Sequence, residues 1–157
     1  MSACTAPVDG LIGIGSDVSG QPQVVLMSCL HHLDGVTVIW SDDPTGRDSK
    51  HAVVAKWKLP VGYDSPVEWS LLSSTPEGVT IVKGPVALTP GRTYSIGGGS
   101  HDDPYWSAIG PDFTAKDIAR LHPGEILIQD FMTDKEPTTP TRVSMDQFKE
   151  LACSSER

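Results

Sequence analysis

The sequence predicts a mostly β domain: a sandwich of two packed sheets with one or two short helices added near the C-terminus. Three observations predict it. Short runs rich in Val, Ile, Thr and Trp recur between residues 11 and 96, each bounded by turn-forming residues. Thirteen prolines and fifteen glycines punctuate the 157-residue chain too often for a helix bundle. Two helix-capping patterns occur, both after residue 113.

The length suits one domain. Hydrophobic residues are 38% and charged residues 20%, which supports a packed core. Residues 1–9 read as a tail, 10–153 as a single domain and 154–157 as a polar tail. Twenty acidic against twelve basic residues give a net charge of −8, which a nucleic-acid surface repels. The apolar runs fall well short of the ~20 residues a membrane helix needs.

The elements follow in order. Leu11 to Gly15 is a first strand, and Val18 to Pro22 is a turn. Gln23 to Leu30 is a buried-looking strand, turned by His31 to Gly35. Val36 to Trp40 is β-branched and aromatic, as a half-buried strand should be. Ser41 to Lys50 is a polar loop. In His51 to Leu59, alternation puts Ala55, Trp57 and Leu59 on one face and Lys56 and Lys58 on the other. Val67 to Leu72 repeats that period, and Val79 to Lys83 follows a Thr75–Gly78 turn.

Leu88-Thr89-Pro90-Gly91-Arg92-Thr93-Tyr94 is the most telling segment. A Leu, then Pro-Gly, then a strand opening with Tyr resembles the corner of fibronectin type III and immunoglobulin-like domains. The resemblance implies that the Tyr94 hydroxyl bonds back to nearby backbone and fixes a crossing between sheets.

Gly97 to Pro104 reads as a flexible loop. Thr114 and Asp117 form a capping pattern, with Phe113 and Ile118 as its staple; Pro123 keeps that helix short. Gly124 to Phe131 is a strand, Asp134 to Pro140 a loop, and Arg142-Val143 a last short strand. Ser144 and Gln147 form a second capping box, with Val143 and Phe148 as staple. Met145, Phe148, Leu151 and Ala152 make one apolar stripe along that helix.

Three cysteines bear on location. Met1-Ser2-Ala3-Cys4-Thr5 resembles the end of a bacterial lipoprotein signal; on that reading Cys4 is the mature, lipid-bearing first residue. The plainer reading is an ordinary thiol on a frayed terminus. Cys29 and Cys153 remain as an even pair. A bridge between them ties the last helix to the sheet and implies an oxidising compartment; the alternative is two reduced thiols.

The chain as a whole resembles small uncharacterised actinobacterial lipoproteins. The residues that carry this are Cys4-Thr5-Ala6-Pro7-Val8-Asp9-Gly10-Leu11-Ile12-Gly13-Ile14, a strand ending in Cys29, the run Leu121-His122-Pro123-Gly124-Glu125-Ile126-Leu127-Ile128, and the capped terminal helix with Cys153. The resemblance implies an extracytoplasmic place, at the cell surface or secreted. It transfers no functional residue.

Chemistry is sparse. No serine-hydrolase elbow, phosphate loop or dinucleotide fingerprint occurs. His31 and His32 are adjacent, so on extended chain they diverge. Asp42-Asp43 lacks the repeated spacing of a calcium loop. His101, Asp102 and Asp103 offer an imidazole and two carboxylates that can hold a divalent ion or serve as general base, or simply form a solvated loop. Tyr105 and Trp106 follow, a contact patch or a plug for the sandwich. Trp40, Trp57 and Trp69 fall in strands and read as core or sheet-face residues.

The leading expectation is therefore a non-catalytic extracytoplasmic binding module. His101, Asp102, Asp103, Tyr105 and Trp106 form its contact surface for a protein or carbohydrate partner. No cofactor, metal or nucleic acid is expected, and the only membrane link is lipid on Cys4. The alternatives are a small metal-assisted hydrolase using the His101–Asp103 loop and a structural assembly subunit pairing through a strand edge.

Overall fold

Apolar strands that alternate in and out must bury one face against another layer, and here two sheets do so. The computed structural model describes residues 8–29, 33–41, 51–59, 66–76, 78–85, 87–100, 107–129 and 140–153. Its strands are β1 (Val8–Ser16), β2 (Pro22–Ser28), β3 (Gly35–Ser41), β4 (His51–Lys58), β5 (Val67–Ser70), β6 (Thr80–Lys83), β7 (Thr93–Gly99), β8 (Ser107–Phe113), β9 (Ile126–Gln129) and β10 (Pro140–Val143). The helices are α1 (Ala115–Ala119) and α2 (Met145–Ala152).

The first sheet runs β10-β9-β1-β2-β5 and the second β8-β7-β3-β4-β6, with antiparallel pairing inside each. The start of β1 also pairs in parallel with β8 at Val8–Ser107 and Leu11–Ile109. One edge of β1 is thus divided: β8 takes its beginning and β9 takes Ile14 and Gly15. The sandwich is hydrogen-bonded shut along that side.

Alternation sorts the side chains into two cores. Ile12, Ile14, Val24 and Leu26 face inward against Val36, Val38, Trp57 and Ile96 of the opposite sheet. Leu11, Val25, Ile126, Ile128 and Val143 face outward and are covered by Phe148 and Ala152 of α2. The first sheet is therefore buried on both faces, so β1 and β2 carry apolar residues at successive positions. Trp57 and Trp69 meet edge to face in the inner core, ring centroids 5.6 Å apart. Trp40 is half-buried, with the Arg92 guanidinium 4.2 Å above its ring.

Both capping boxes form. The Thr114 hydroxyl accepts from the Asp117 amide while the Asp117 carboxylate accepts from the Thr114 amide; Ser144 and Gln147 repeat the arrangement at α2. Both staple pairs, Phe113 with Ile118 and Val143 with Phe148, are buried. Cys29 and Cys153 are joined by a disulfide, pinning the end of α2 to the strand beneath it.

The tyrosine corner also forms. Tyr94 Oη accepts from the Thr89 amide at 2.7 Å and donates to the Ala87 carbonyl at 3.4 Å. Its position differs from the expectation: β6 and β7 belong to one sheet, so the corner spans the end of that sheet instead of a crossing between sheets.

The glycine run is a second difference. Gly97, Gly98 and Gly99 are not a loop but the end of β7, paired on both sides with β3 and β8. A Cβ on Gly98 would stand 2.8 Å from Ile12 Cδ1, so the bare backbone lets the sheets close. A third difference is β8, which the Gly110-Pro111 pair conceals in the sequence. Ser95 faces Asp112 and Gly97 faces Ile109, so Ile96 alone opposes Gly110 and Pro111. This bulge accommodates a proline, which has no amide for the ladder.

Candidate functional site

Alternation on the second sheet sends Val36, Val38 and Trp57 inward and leaves Thr37, Lys56 and Lys58 on the outer face. Among the described residues, no helix covers that face as α2 covers the first sheet. A groove of about 490 Å³ lies there, lined by Asp34, Thr37, Lys56, Lys58, Val82 and Ser100 among others.

Strand pairing sets its geometry. Thr37 is opposite Lys56, Lys58 is opposite Thr80, and Lys56 is opposite Lys83 on the edge strand β6. The β4–β6 register shifts between Lys56 and Trp57, which gives β6 one extra residue, Val82. Val82 is 59% exposed. One end of the groove is held by backbone: the Asp34 amide donates to Gly99 at 3.1 Å and the Leu59 amide donates to Asp34 at 2.8 Å.

The groove is cationic in balance. Lys56 and Lys58 border it with Lys83 alongside, and Asp34 is the one carboxylate among the described lining residues. Among the described residues, none of the three lysines is ion-paired. Farther along the face, Asp112 accepts a hydrogen bond from Ser95 Oγ at 2.5 Å.

A second concavity, about 200 Å³, has the opposite character. Asp17, Glu68 and Glu125 line it with Gln23 and Met145. Two of these carboxylates serve their own turns. Asp17 Oδ1 accepts from the Ser19 hydroxyl at 2.7 Å and from the Ser19 and Gln21 amides at 2.9 Å, and these bonds hold its pKa below the ordinary value. Glu125 Oε1 accepts from the His122 amide at 2.7 Å and stands 3.0 Å from His122 Nδ1; these bonds lower its pKa too. Among the described residues, no group of three His, Cys, Asp or Glu is placed to hold a metal ion.

The predicted contact residues His101, Asp102, Asp103, Tyr105 and Trp106 lie outside the described residues, as do Cys4, His31, His32, Asp42 and Asp43. The chain enters the 101–106 segment from Ser100, which lines the lysine groove. Sequence reasoning identified Lys56 and Lys58 only as a polar strand face. The usable signal was their concentration: with Lys83, three of the twelve basic residues of an acidic chain fall on two strands.

Among the described residues, no helix is long and apolar enough to cross a membrane. Compared with protein-family models, with curated proteins and with solved structures, the chain matches none.

Proposed function

We propose that this protein is a non-catalytic binding module that works outside the cytoplasm and takes its ligand on the outer face of β3, β4 and β6. The observation that carries the reading is the groove of about 490 Å³, a size in the range of small-molecule sites, on a sheet face that no helix of the described residues covers. Rigid strands position its side chains, which favours recognition. Ser100, which precedes the contact residues expected from the sequence, is among the groove's lining residues.

The Cys29–Cys153 disulfide supports the extracytoplasmic part, because such bridges persist in oxidising compartments. Lipid on Cys4 is the anchor in this reading. An immunoglobulin-like classification is favoured by the Tyr94 corner and by the order β8-β7-β3-β4 facing β1-β2-β5.

The test is a ligand screen by nuclear magnetic resonance on isotope-labelled, disulfide-intact protein, with each hit recovered and weighed by mass spectrometry. A hit that shifts the amides of Thr37, Lys56 and Lys58 and returns unchanged supports binding without catalysis. Chemical conversion of the hit, or a full screen with no response in the groove, overturns it.

A further inference from the structure

We infer that the groove takes a small organic anion, an acidic head group on an apolar body; this rests on the binding reading above and specifies its ligand class. Lys56 and Lys83 face each other directly across β4 and β6. Like charges at directly opposed positions destabilise a sheet. Lys58 adds a third ammonium two residues along the same face of β4. Among the described residues no carboxylate is paired with any of them, so the repulsion is not relieved within the sheet. An acid group seated between these ammonium groups relieves it, and the Thr37 hydroxyl beside Lys56 offers a further donor.

The apolar body follows from the rest of the lining. Val82 stands 59% exposed in the groove because of the β6 bulge, and Gly35 and Gly99 bring backbone without side chains to its other end. Lysine stems add methylene surface beside their charged tips. Overall charge disfavours a long polyanion. The protein carries a net charge of −8, so its distant field repels a highly charged ligand while the local lysines hold a single head group.

Four probes added to labelled, disulfide-intact protein test this: hexanoate, hexyl phosphate, hexanol and inorganic phosphate. Hexanoate and hexyl phosphate are expected to shift the amides of Thr37, Lys56, Lys58 and Gly99. Each should bind at least about tenfold more tightly than hexanol or inorganic phosphate, a difference of about 1.4 kcal/mol. A larger response to one of the two acids identifies the head group as carboxylate or phosphate. The double substitution Lys56→Gln/Lys58→Gln should abolish the shifts with the spectrum otherwise folded, and Val82→Asp should weaken both acids. Hexanol binding as well as hexanoate, inorganic phosphate binding as well as hexyl phosphate, or shifts unaffected by the lysine substitutions would overturn the inference. If only neutral ligands from the broader screen occupy the groove, the anion class fails while the binding module stands.

Discussion

Cys29, just past β2, and Cys153, the C-cap of α2, are bonded through their sulfurs with α-carbons 5.5 Å apart, although 124 residues separate them. The bridge fastens an eight-residue helix, too short to persist alone in water. That helix covers Leu11, Val25, Ile126 and Ile128. Closing a loop this long is worth up to about 4–5 kcal/mol in the chain-entropy treatment. The paired substitution Cys29→Ala/Cys153→Ala should therefore lower the urea midpoint sharply and increase binding of a hydrophobic dye. An unchanged midpoint would show that packing of Phe148 and Ala152 holds the helix unaided.

Tyr94→Phe keeps the ring, which stacks on Phe113 with centroids 5.7 Å apart, and removes only the hydroxyl. The Thr89 amide then loses its 2.7 Å acceptor. The expected cost is about 0.5–1.5 kcal/mol, read from denaturant unfolding. Loss of less than the error of that measurement would mean that water replaces the bond and the corner is not a stabilising device.

Two glycines differ in how hard a new methyl would press on backbone. Alanine at Gly98 meets Ile12 Cδ1, the far end of a side chain, and should cost about 1–3 kcal/mol. Adding Ile12→Val removes that methyl, so the double variant should be less destabilised than the sum of the single ones. Alanine at Gly110 would stand 2.5 Å from the Ile96 carbonyl oxygen, a backbone atom that no trimming relieves. Gly110→Ala should be the more damaging variant by thermal melting; equal effects would place the limiting crowding elsewhere.

Asp17 gives a pH signature. Hydrogen bonds from Ser19 and Gln21 depress its folded pKa, so the ionised form stabilises the β1–β2 turn. A depressed carboxylate contributes fully above its ordinary pKa and loses that contribution as pH falls through the lowered folded value. Asp17→Ala should therefore be less stable than the parent at neutral pH, and the gap should shrink on acidification below the ordinary carboxylate range. A gap constant across that window would assign the effect to turn geometry and not to charge.

Local chemistry was legible along the chain. Thr114-x-x-Asp117 and Ser144-x-x-Gln147 place two helix starts, because a cap needs residues only three apart. Alternation in β4 sorts Ala55 and Trp57 from Lys56 and Lys58, because side-chain direction on a strand is a local property. Gly97 to Gly99 and Gly110-Pro111 were misleading for the same reason in reverse. Read locally they are breakers; in the sandwich they are the close approach to Ile12 and a bulge opposite Ile96.

The sequence by itself determined the β class and both capped helices, since each rests on residue type and short spacing; it offered Cys29 and Cys153 as a pair, and the bridge between them was decided by the fold. Only the tertiary structure decided which strands share a sheet, that the first sheet is buried on both faces, and that Lys83 stands across from Lys56 over a groove. Those facts depend on pairing between strands distant in the chain, and register between such strands is set by the packing of the whole core.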